Sequence, residues 1–243
     1  MPDLSFVPIL MLAAFGHGAL GFGFPLISTP LLVLMMDMRS AILLTLIPTV
    51  LINTASILGE RHWREALRTF WPIPVFTIVG SYLGTQLLLS VNPDPFRLLL
   101  ALVLVGYLLS DRFTRSEKAR HVPGWGMALF GLFLGIMAGV TNVFAPAIVV
   151  YALFTRMDPA LMVATFNLSF LTSKTGQIAG FVANDAFTRE ALVLTAWALP
   201  PVLLSLWIGI RVRRRIDQAS YKRVLKIALW VITVLLIIDW LRR

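Results

Sequence analysis

At 243 residues, with 58% hydrophobic and 14% charged side chains, the chain is too apolar for a soluble globular domain. We therefore predict an integral membrane protein. The net charge of +9 does not indicate a nucleic-acid partner, because the basic residues cluster in short loops between apolar segments and so report on topology. The absence of cysteine excludes disulfides, thiol catalysis and cysteine metal sites, and we predict no cofactor and no metal.

Eight apolar segments follow one another along the chain, and the loops between them leave no room for a soluble domain. We therefore predict one membrane domain over residues 1–243. All 12 acidic residues lie in loops or at segment ends, so none is expected at the membrane centre. The loop at 60–69 is expected to hold Arg61, His62 and Arg64. The segments are 4–36, 40–59, 70–90, 96–110, 125–154, 159–182, 191–210 and 221–240, of which the first and fifth are broken.

Glycine and proline interrupt the first segment near its middle. A single helix over residues 4–36 would reach roughly 50 Å, whereas the hydrocarbon core is about 30 Å thick. Gly21, Gly23 and Pro25 predict two half-helices joined by an irregular tip, because glycine tolerates a bent backbone and proline starts a helix well. Irregular backbone survives at membrane depth only when it is buried in protein or lines a wet cavity, so the tip is a candidate binding site.

The fifth segment repeats this pattern, which indicates an internal repeat. Displacing the sequence by 121 residues places Pro25 on Pro146 and Gly59 on Gly180. Two halves follow, residues 1–120 and 121–243. The displacement that fits the end of the repeat is 125 residues, which places Gly84 on Gly209.

Charge predicts how the halves are oriented. If all eight segments cross, 10 basic residues lie on each side of the membrane; if the broken segments are re-entrant hairpins, the split is 15 to 5. Only the second arrangement shows the bias typical of cytoplasmic loops. We therefore predict an all-α membrane protein of two inverted repeats, each a broken re-entrant helix hairpin plus three transmembrane helices. That architecture is typical of secondary transporters. The five minority residues are Arg39, Arg97, Arg189, Arg242 and Arg243.

Two sequence runs, LGFGFPLISTPLLVL and GIMAGVTNVFAPAIVVY, resemble the glycine-rich turns of the sulfite exporter TauE/SafE family of membrane permeases. The resemblance covers nearly the whole chain. It implies transport of sulfite, sulfoacetate or related organic acid anions. This chain departs from the family pattern at residues 142–144, where glycines are more usual. The matching residues are Gly21, Gly23 and Pro25 in the first turn and Gly135, Gly139 and Pro146 in the second.

Two features favour an anion independently of the family. The half-helices after Pro25 and Pro146 are expected to begin near the membrane centre with their first N–H groups unpaired, and a helix N-terminus carries about half a positive charge. The alternative is that both tips are only tight-packing kinks. Lys174 is the one charged residue inside a spanning segment. It either serves the substrate or coupling, or its ammonium snorkels to the outer headgroups.

Polar residues at helical spacing mark one face of the second segment and one face of the sixth. They are Thr45, Thr49, Asn53 and Ser56 in the second segment and Asn167, Lys174 and Gln177 in the sixth. Interhelical hydrogen bonding is the alternative interpretation of the hydroxyl groups. We expect a central cavity between the two tips, flanked by Asn53 and Lys174. The predicted substrate-binding residues are Gly21, Gly23, Phe24, Pro25, Ser28, Thr49, Asn53, Asn142, Phe144, Pro146, Asn167, Lys174 and Gln177.

The predicted function is that of a secondary transporter, an exporter of small anions, working by alternating access around a midplane site. A passive anion channel is the alternative. An intramembrane enzyme is disfavoured, because such chemistry needs a base or metal ligands beside its nucleophile and the chain has only 3 histidines. We expect a multi-pass protein of the cell (inner) membrane with both termini extracytoplasmic. The sequence leaves open proton or sodium coupling and a homo-oligomeric state.

Overall fold

The computed structural model describes residues 4–59, 61–109, 121–213 and 218–241. Over these ranges the chain forms 11 α-helices and no strands, which confirms the predicted all-α class. The helices are α1 (Val7–Leu20), α2 (Phe24–Val33), α3 (Met38–Gly59), α4 (Trp63–Phe70), α5 (Pro72–Ser90), α6 (Asp94–Leu109), α7 (Gly124–Thr141), α8 (Ala145–Thr155), α9 (Pro159–Ala183), α10 (Arg189–Val212) and α11 (Gln218–Leu241).

Both broken segments are interrupted where the sequence predicts, between α1 and α2 and between α7 and α8. The two breaks differ in the lengths of the helices they separate. α1 and α2 have 14 and 10 residues, about 21 and 15 Å, so neither crosses a membrane alone. α7 has 18 residues and α8 only 11, so the second broken segment is divided more unequally than the first.

The helix α4 corrects the expectation of a loop at residues 60–69. Its eight residues are too few to cross a membrane, and Arg64 and Glu65 are exposed. Its Ala66 is buried against Ile57 of α3 and Leu168 of α9. A short helix therefore forms here because one apolar face has helices to pack against, which hydropathy averaged over the segment does not register.

Four helices of the described chain are long and apolar enough to cross a membrane, namely α3, α5, α7 and α10. α9 is not among them although it has 25 residues. Its asparagine, lysine and glutamine lower its hydropathy, but these side chains are buried. Because α9 contacts α3, α5 and α7, it lies in the centre of the bundle, where protein rather than lipid surrounds its polar face.

One end of the bundle, called face A, gathers helix ends around two arginines. Arg39 at the start of α3 donates to the carbonyl of Leu88 at the end of α5 (3.0 Å). Arg97 at the start of α6 donates to the carbonyl of Met36 after α2 (3.0 Å) and to Asp239 near the end of α11 (2.9 Å). Face A therefore holds the ends of α2, α5 and α11 and the starts of α3 and α6.

The opposite end, called face B, gathers the complementary helix ends. Thr155 at the end of α8 lines the same surface cavity as Phe70 at the end of α4 and Val122 just before α7. Ile57 near the end of α3 packs in one cluster with Ala164 near the start of α9. Face B therefore holds the ends of α3 and α8 and the starts of α5, α7 and α9.

Glycines allow two pairs of helices to approach closely. A Cβ built on Gly139 of α7 would lie 2.6 Å from the backbone of Gly84 in α5. In the other pair, a Cβ on Gly18 of α1 would lie 2.5 Å from the backbone of α10, and one on Gly209 would lie 2.4 Å from the backbone of α1. Displacement by 121 places Gly18 on Gly139, and displacement by 125 places Gly84 on Gly209, so the two crossings use superimposable glycines.

Candidate functional site

The first tip is formed by the residues between α1 and α2. Gly21 and Gly23 have φ of 89° and 100°, in the left-handed region that glycine adopts without steric cost. The carbonyl of Gly21 accepts a hydrogen bond from Asn167 Nδ2 of α9 (3.0 Å). The tip is therefore attached to α9, and its two glycines are required by the backbone conformation.

His17 caps the N-terminus of α2. Its Nδ1 accepts the backbone N–H of Phe24 (3.3 Å), and its Nε2 lies 2.8 Å from Ser56 Oγ. Because the Ser56 hydroxyl donates to the carbonyl of Ile52 (3.0 Å), Nε2 must be the donor to Ser56. His17 is therefore neutral with its proton on Nε2. The expectation that the first N–H groups of α2 are unpaired is wrong for Phe24.

The second tip replaces glycine with asparagine. Asn142 has φ of 62° and occupies the position that displacement by 121 superimposes on Gly21. Asparagine is one of the few residues that adopt this conformation at modest cost. The Thr141 hydroxyl donates to the carbonyl of Met137 (2.8 Å) and accepts the backbone N–H of Val143 (3.3 Å), which links the turn to the end of α7. Asn142 thus keeps the backbone shape of a glycine turn and adds an amide side chain.

The side chain of Lys174 extends from α9 to the second tip. Its side chain is fully buried, and its ammonium donates to Asn142 Oδ1 and to Gln177 Oε1. Asn142 in turn donates through Nδ2 to the hydroxyls of Thr29 (2.8 Å) and Thr45 (2.9 Å). Two amides, oriented by their own hydrogen bonds, therefore present oxygen atoms to one buried cation.

No salt bridge of the described residues includes Lys174. Arg97, the other buried cation, differs because it pairs with Asp239. The ammonium of Lys174 is turned toward the protein interior, so the snorkelling alternative is wrong. A cation held only by neutral dipoles lacks the counter-charge that burial ordinarily demands.

The polar face of α3 connects the second tip to the first. Thr45 contacts the second tip, Thr49 Oγ1 donates to the carbonyl of Thr45 (2.6 Å), and Asn53 Nδ2 donates to the carbonyl of Thr49 (2.8 Å). Ser56 then contacts His17 at the first tip. The Oδ1 atom of Asn53 is buried without a hydrogen-bond partner, so this face retains an unused acceptor.

A cavity of about 120 Å³, here called the tip cavity, lies beside the first tip. Gly59 at the end of α3 and Arg213 at the end of α10 both line it, so it lies toward face B. A Cβ built on Gly21 would be 3.2 Å from the Arg213 guanidinium, which places this cation against the first tip. The polar and glycine residues that line the cavity are His17, Gly18, Gly21, Ser56, Gly59, Asn167 and Arg213.

The structure places the predicted site residues in three neighbouring groups. Lys174 and Asn53 do not line the tip cavity, so a central cavity between the two tips stays a prediction. Of the predicted residues, Gly21 and Asn167 line the tip cavity, Asn142, Lys174 and Gln177 form the buried network, and Thr49 and Asn53 lie on the face between them.

The remaining predicted residues shape the two tips. Ser28 Oγ donates to the carbonyl of Phe24 within α2 (2.8 Å). Phe144 is buried, and its ring centroid lies 4.1 Å from that of Phe170. Gly23 precedes α2, and Pro25 and Pro146 lie in the first turns of α2 and α8. These residues set the shape of the tips and present no polar side chain to the cavity.

Three polar residues that line the tip cavity are absent from the predicted site, namely His17, Ser56 and Arg213. A histidine inside an apolar run, four residues before the glycine turn, was the available signal for the first. Ser56 lies on the predicted polar face of α3. Arg213 carries no local signal, because one arginine within a basic run looks like a topology determinant.

These features define a multi-pass helical membrane protein in which two broken helices meet a buried polar network. The chain belongs to the sulfite exporter TauE/SafE family, whose model matches residues 6–236, nearly its whole length. The family is one of membrane permeases, and membership implies a transporter of sulfite or related anions. A search of curated proteins and a search of solved structures each found no match.

Proposed function

We propose that the protein is a secondary transporter that exports a small anion, sulfite or an organosulfur anion, by alternating access. The observation that carries this proposal is the buried ammonium of Lys174, which has only neutral partners. An anion that leaves water for the membrane centre loses several kcal/mol of hydration. A cation without a counter-charge is the group best suited to compensate that loss.

The direction of the broken helices supports inverted repeats. Met11 and Phe15 of α1 meet Ser205 and Gly209 of α10, so α1 and α10 run in the same direction. Since Glu190 at the start of α10 lines a groove on face A, α1 also begins there, and α2 ends there. The first broken segment thus behaves as a hairpin that returns to face A.

The second broken segment supports the opposite orientation. Ile73 of α5 meets Gly131 of α7, and Gly84 meets Gly139, so α5 and α7 run in the same direction from face B. Thr155 at the end of α8 also lies on face B. The two hairpins therefore enter from opposite faces, as inverted repeats require.

A difference between superimposable positions supports alternating access. Among the described residues, none has an atom within 4 Å of a Cβ built on Gly59, whereas a Cβ on Gly180 would lie 2.8 Å from Thr85. The tip cavity is thus open at one repeat, while the corresponding position of the other repeat is packed. A carrier alternates between two such arrangements, whereas a passive channel would need both sides open together. We therefore favour the carrier over the channel.

Charge supports the orientation in the membrane. Face A carries Arg39, Arg97 and Arg189, while the basic residues of the described chain at helix ends on face B include Arg61, Arg64, Arg68, Arg156, Arg211 and Arg213. Face B is then cytoplasmic, both termini are extracytoplasmic, and the tip cavity is open to the cytoplasm. An anion would enter the cavity from the cell interior, as export requires.

The experiment is sulfite transport by the purified protein in proteoliposomes. We expect saturable flux of labelled sulfite that accelerates when unlabelled sulfite is present on the opposite side. Flux that rises linearly with concentration and shows no such acceleration would favour the channel. If sulfite and a panel of small sulfonates and carboxylates all fail to move, the proposed function is wrong.

A further inference from the structure

We propose that His17 binds the coupling proton and carries it with the anion, an inference that rests on the transport function proposed above. The residue is placed where a proton and an anion can both reach it. His17 lines the tip cavity, and its Nδ1 accepts the first N–H of α2. Its other nitrogen is occupied by Ser56.

Protonation of His17 changes the first tip directly. The proton must go to Nδ1, because Nε2 already carries one. Nδ1 then becomes a donor and no longer accepts the N–H of Phe24, and the imidazolium repels the positive end of α2. One proton therefore breaks the bond that holds the N-terminus of α2 against α1 and releases this half of the tip.

The charges around His17 link the proton to the anion. α3 contributes Ser56 to the cavity wall and α9 contributes Asn167, neither of which titrates in the physiological range. α10 contributes Arg213, the one charged side chain among the cavity-lining residues that the structure describes. In the empty cavity, Arg213 opposes a second positive charge.

An anion in the tip cavity reverses this balance. It offsets the repulsion between Arg213 and an imidazolium at His17, and it offers the Phe24 N–H a new acceptor. Binding of the anion therefore favours binding of the proton, and by linkage the proton favours the anion equally. A divalent anion carried with one proton still bears a net negative charge, so an inside-negative membrane potential drives it outward.

The test compares two variants that preserve one hydrogen bond each and cannot titrate. In His17→Asn, the side-chain oxygen lies near the place of Nδ1 and can accept the Phe24 N–H. In His17→Gln, the amide reaches toward Ser56. His121→Gln is the matched control, since His121 is exposed and lies outside the tip cavity. Each protein is reconstituted with a pH-sensitive dye inside the vesicles, and sulfite flux and internal pH are recorded together.

Sulfite itself titrates near neutral pH, so the informative quantity is the difference between parent and variant at equal sulfite flux. We expect the parent and His121→Gln to move about one proton more per sulfite than either His17 variant, and the variants to move sulfite without that proton. Equal proton-to-sulfite ratios in parent and variants would overturn the proposal.

Variants that fold but do not transport are tested by binding. Sulfite is added to detergent-solubilised protein in weak buffer, and we expect proton uptake by the parent beyond that of either variant. Loss of both transport and sulfite binding in both variants would also overturn the proposal, because it would indicate a structural role for His17. If the parent itself moves no anion, the transport function fails, which is a different result.

Discussion

Single buried residues determine the electrostatics of the two tips. Lys174 places its amino group at the second tip, where Asn142 and Gln177 accept its hydrogen bonds. His17 is neutral at the first tip and lies in the same cavity as Arg213. One tip therefore buries an amine among neutral partners, and the other buries a histidine whose charge can change.

Replacing Lys174 with methionine tests the role of the buried cation, because the change keeps the volume and removes the charge. We expect sulfite flux in proteoliposomes to fall at least tenfold, equivalent to about 1.4 kcal/mol, with little change in expression or folding. Lys174→Arg should retain only part of the activity. It keeps the charge, but the larger side chain must fit into a fully packed site. Arg189→Met, which removes an exposed charge, is the control. Parent-like flux in Lys174→Met would restrict the site to the tips and the polar face of α3.

Helix starts and helix crossings decide how the elements fit together. Asp37 precedes α3 and accepts the backbone N–H of Arg39 (2.9 Å) and of Ser40 (3.1 Å), as well as the Ser40 hydroxyl (2.6 Å). Asp158 precedes α9 and accepts the N–H of Ala160 (2.8 Å). The two aspartates are superimposed by displacement of 121 residues, so the equivalent helices of both halves begin with the same cap.

Removing the cap in Asp37→Ala should lower the free energy of unfolding by about 1 kcal/mol at neutral pH. Partial burial acts to raise the pKa of Asp37, but hydrogen bonds from Ser40 and Arg39 outweigh it and hold the pKa below the ordinary value of 3.8. A lowered folded-state pKa stabilises the protein above the unfolded-state value, and this contribution disappears as pH falls through the folded-state value.

Thermal unfolding of parent and Asp37→Ala in detergent, followed by tryptophan fluorescence over a series of pH values, measures this effect. The gap between the two melting temperatures should be widest at neutral pH and should narrow only below the ordinary pKa of aspartate. Asp158→Ala is the matched cap variant at α9 and should show a neutral-pH loss of similar size. A gap that does not depend on pH would contradict the assigned role of the Asp37 carboxylate.

Because α5 and α7 cross closely at glycines, we expect the stability of the protein to fall steeply when one methyl group is added there. A Cβ on Gly135 would lie 2.6 Å from the carbonyl oxygen of Thr77 and 2.7 Å from the Cα of Gly80, both backbone atoms that cannot turn aside. We expect Gly135→Ala to destabilise the protein by about 1–3 kcal/mol. Gly124→Ala in the same helix meets nothing within 4 Å and should leave the melting temperature nearly unchanged. Equal effects of the two changes would contradict the close packing.

At the scale of the whole molecule, the two broken segments that a displacement of 121 residues superimposes have different surroundings. The tip cavity adjoins the first tip, while the second tip is filled by Lys174 and its partners. Gly59 and Gly180 are superimposed by displacement of 121 residues, yet their surroundings differ. This difference between the two tips therefore does not arise from the positions of the glycines in the sequence. It reflects how the helices of one half lie against those of the other.

Single-cysteine labelling tests this asymmetry without background, since the chain has no native cysteine. Gly59→Cys should react with a membrane-impermeant maleimide at least ten times faster than Gly180→Cys, because only Gly59 borders the tip cavity. The reaction should require access from the cytoplasmic side, so inverted vesicles should label and right-side-out vesicles should not. Labelling of Gly59→Cys from outside would refute the proposed orientation, and equal rates at both positions would refute the asymmetry.

The sequence alone was sufficient for features that depend on the local chain. Glycine permits a bent backbone and proline restricts the backbone where it stands, so the breaks after Leu20 and Thr141 were predictable. Hydropathy identified the membrane class and most helices, and helical spacing grouped the polar residues of α3 and α9. The lone charge of Lys174 was visible because its apolar segment contains no acidic residue to pair with it.

Only the tertiary structure determined which of these features meet. Lys174 and Asn142 are 32 residues apart, and Asn142 reaches Thr29 across 113 residues, so no local pattern pairs them. The cap that His17 gives to α2, the packing that stabilises α4 and the position of Arg213 at the first tip likewise depend on where other helices pack. Backbone breaks and hydropathy follow from nearest neighbours in the chain, whereas the cavity and the buried cation's partners follow from contacts between distant segments.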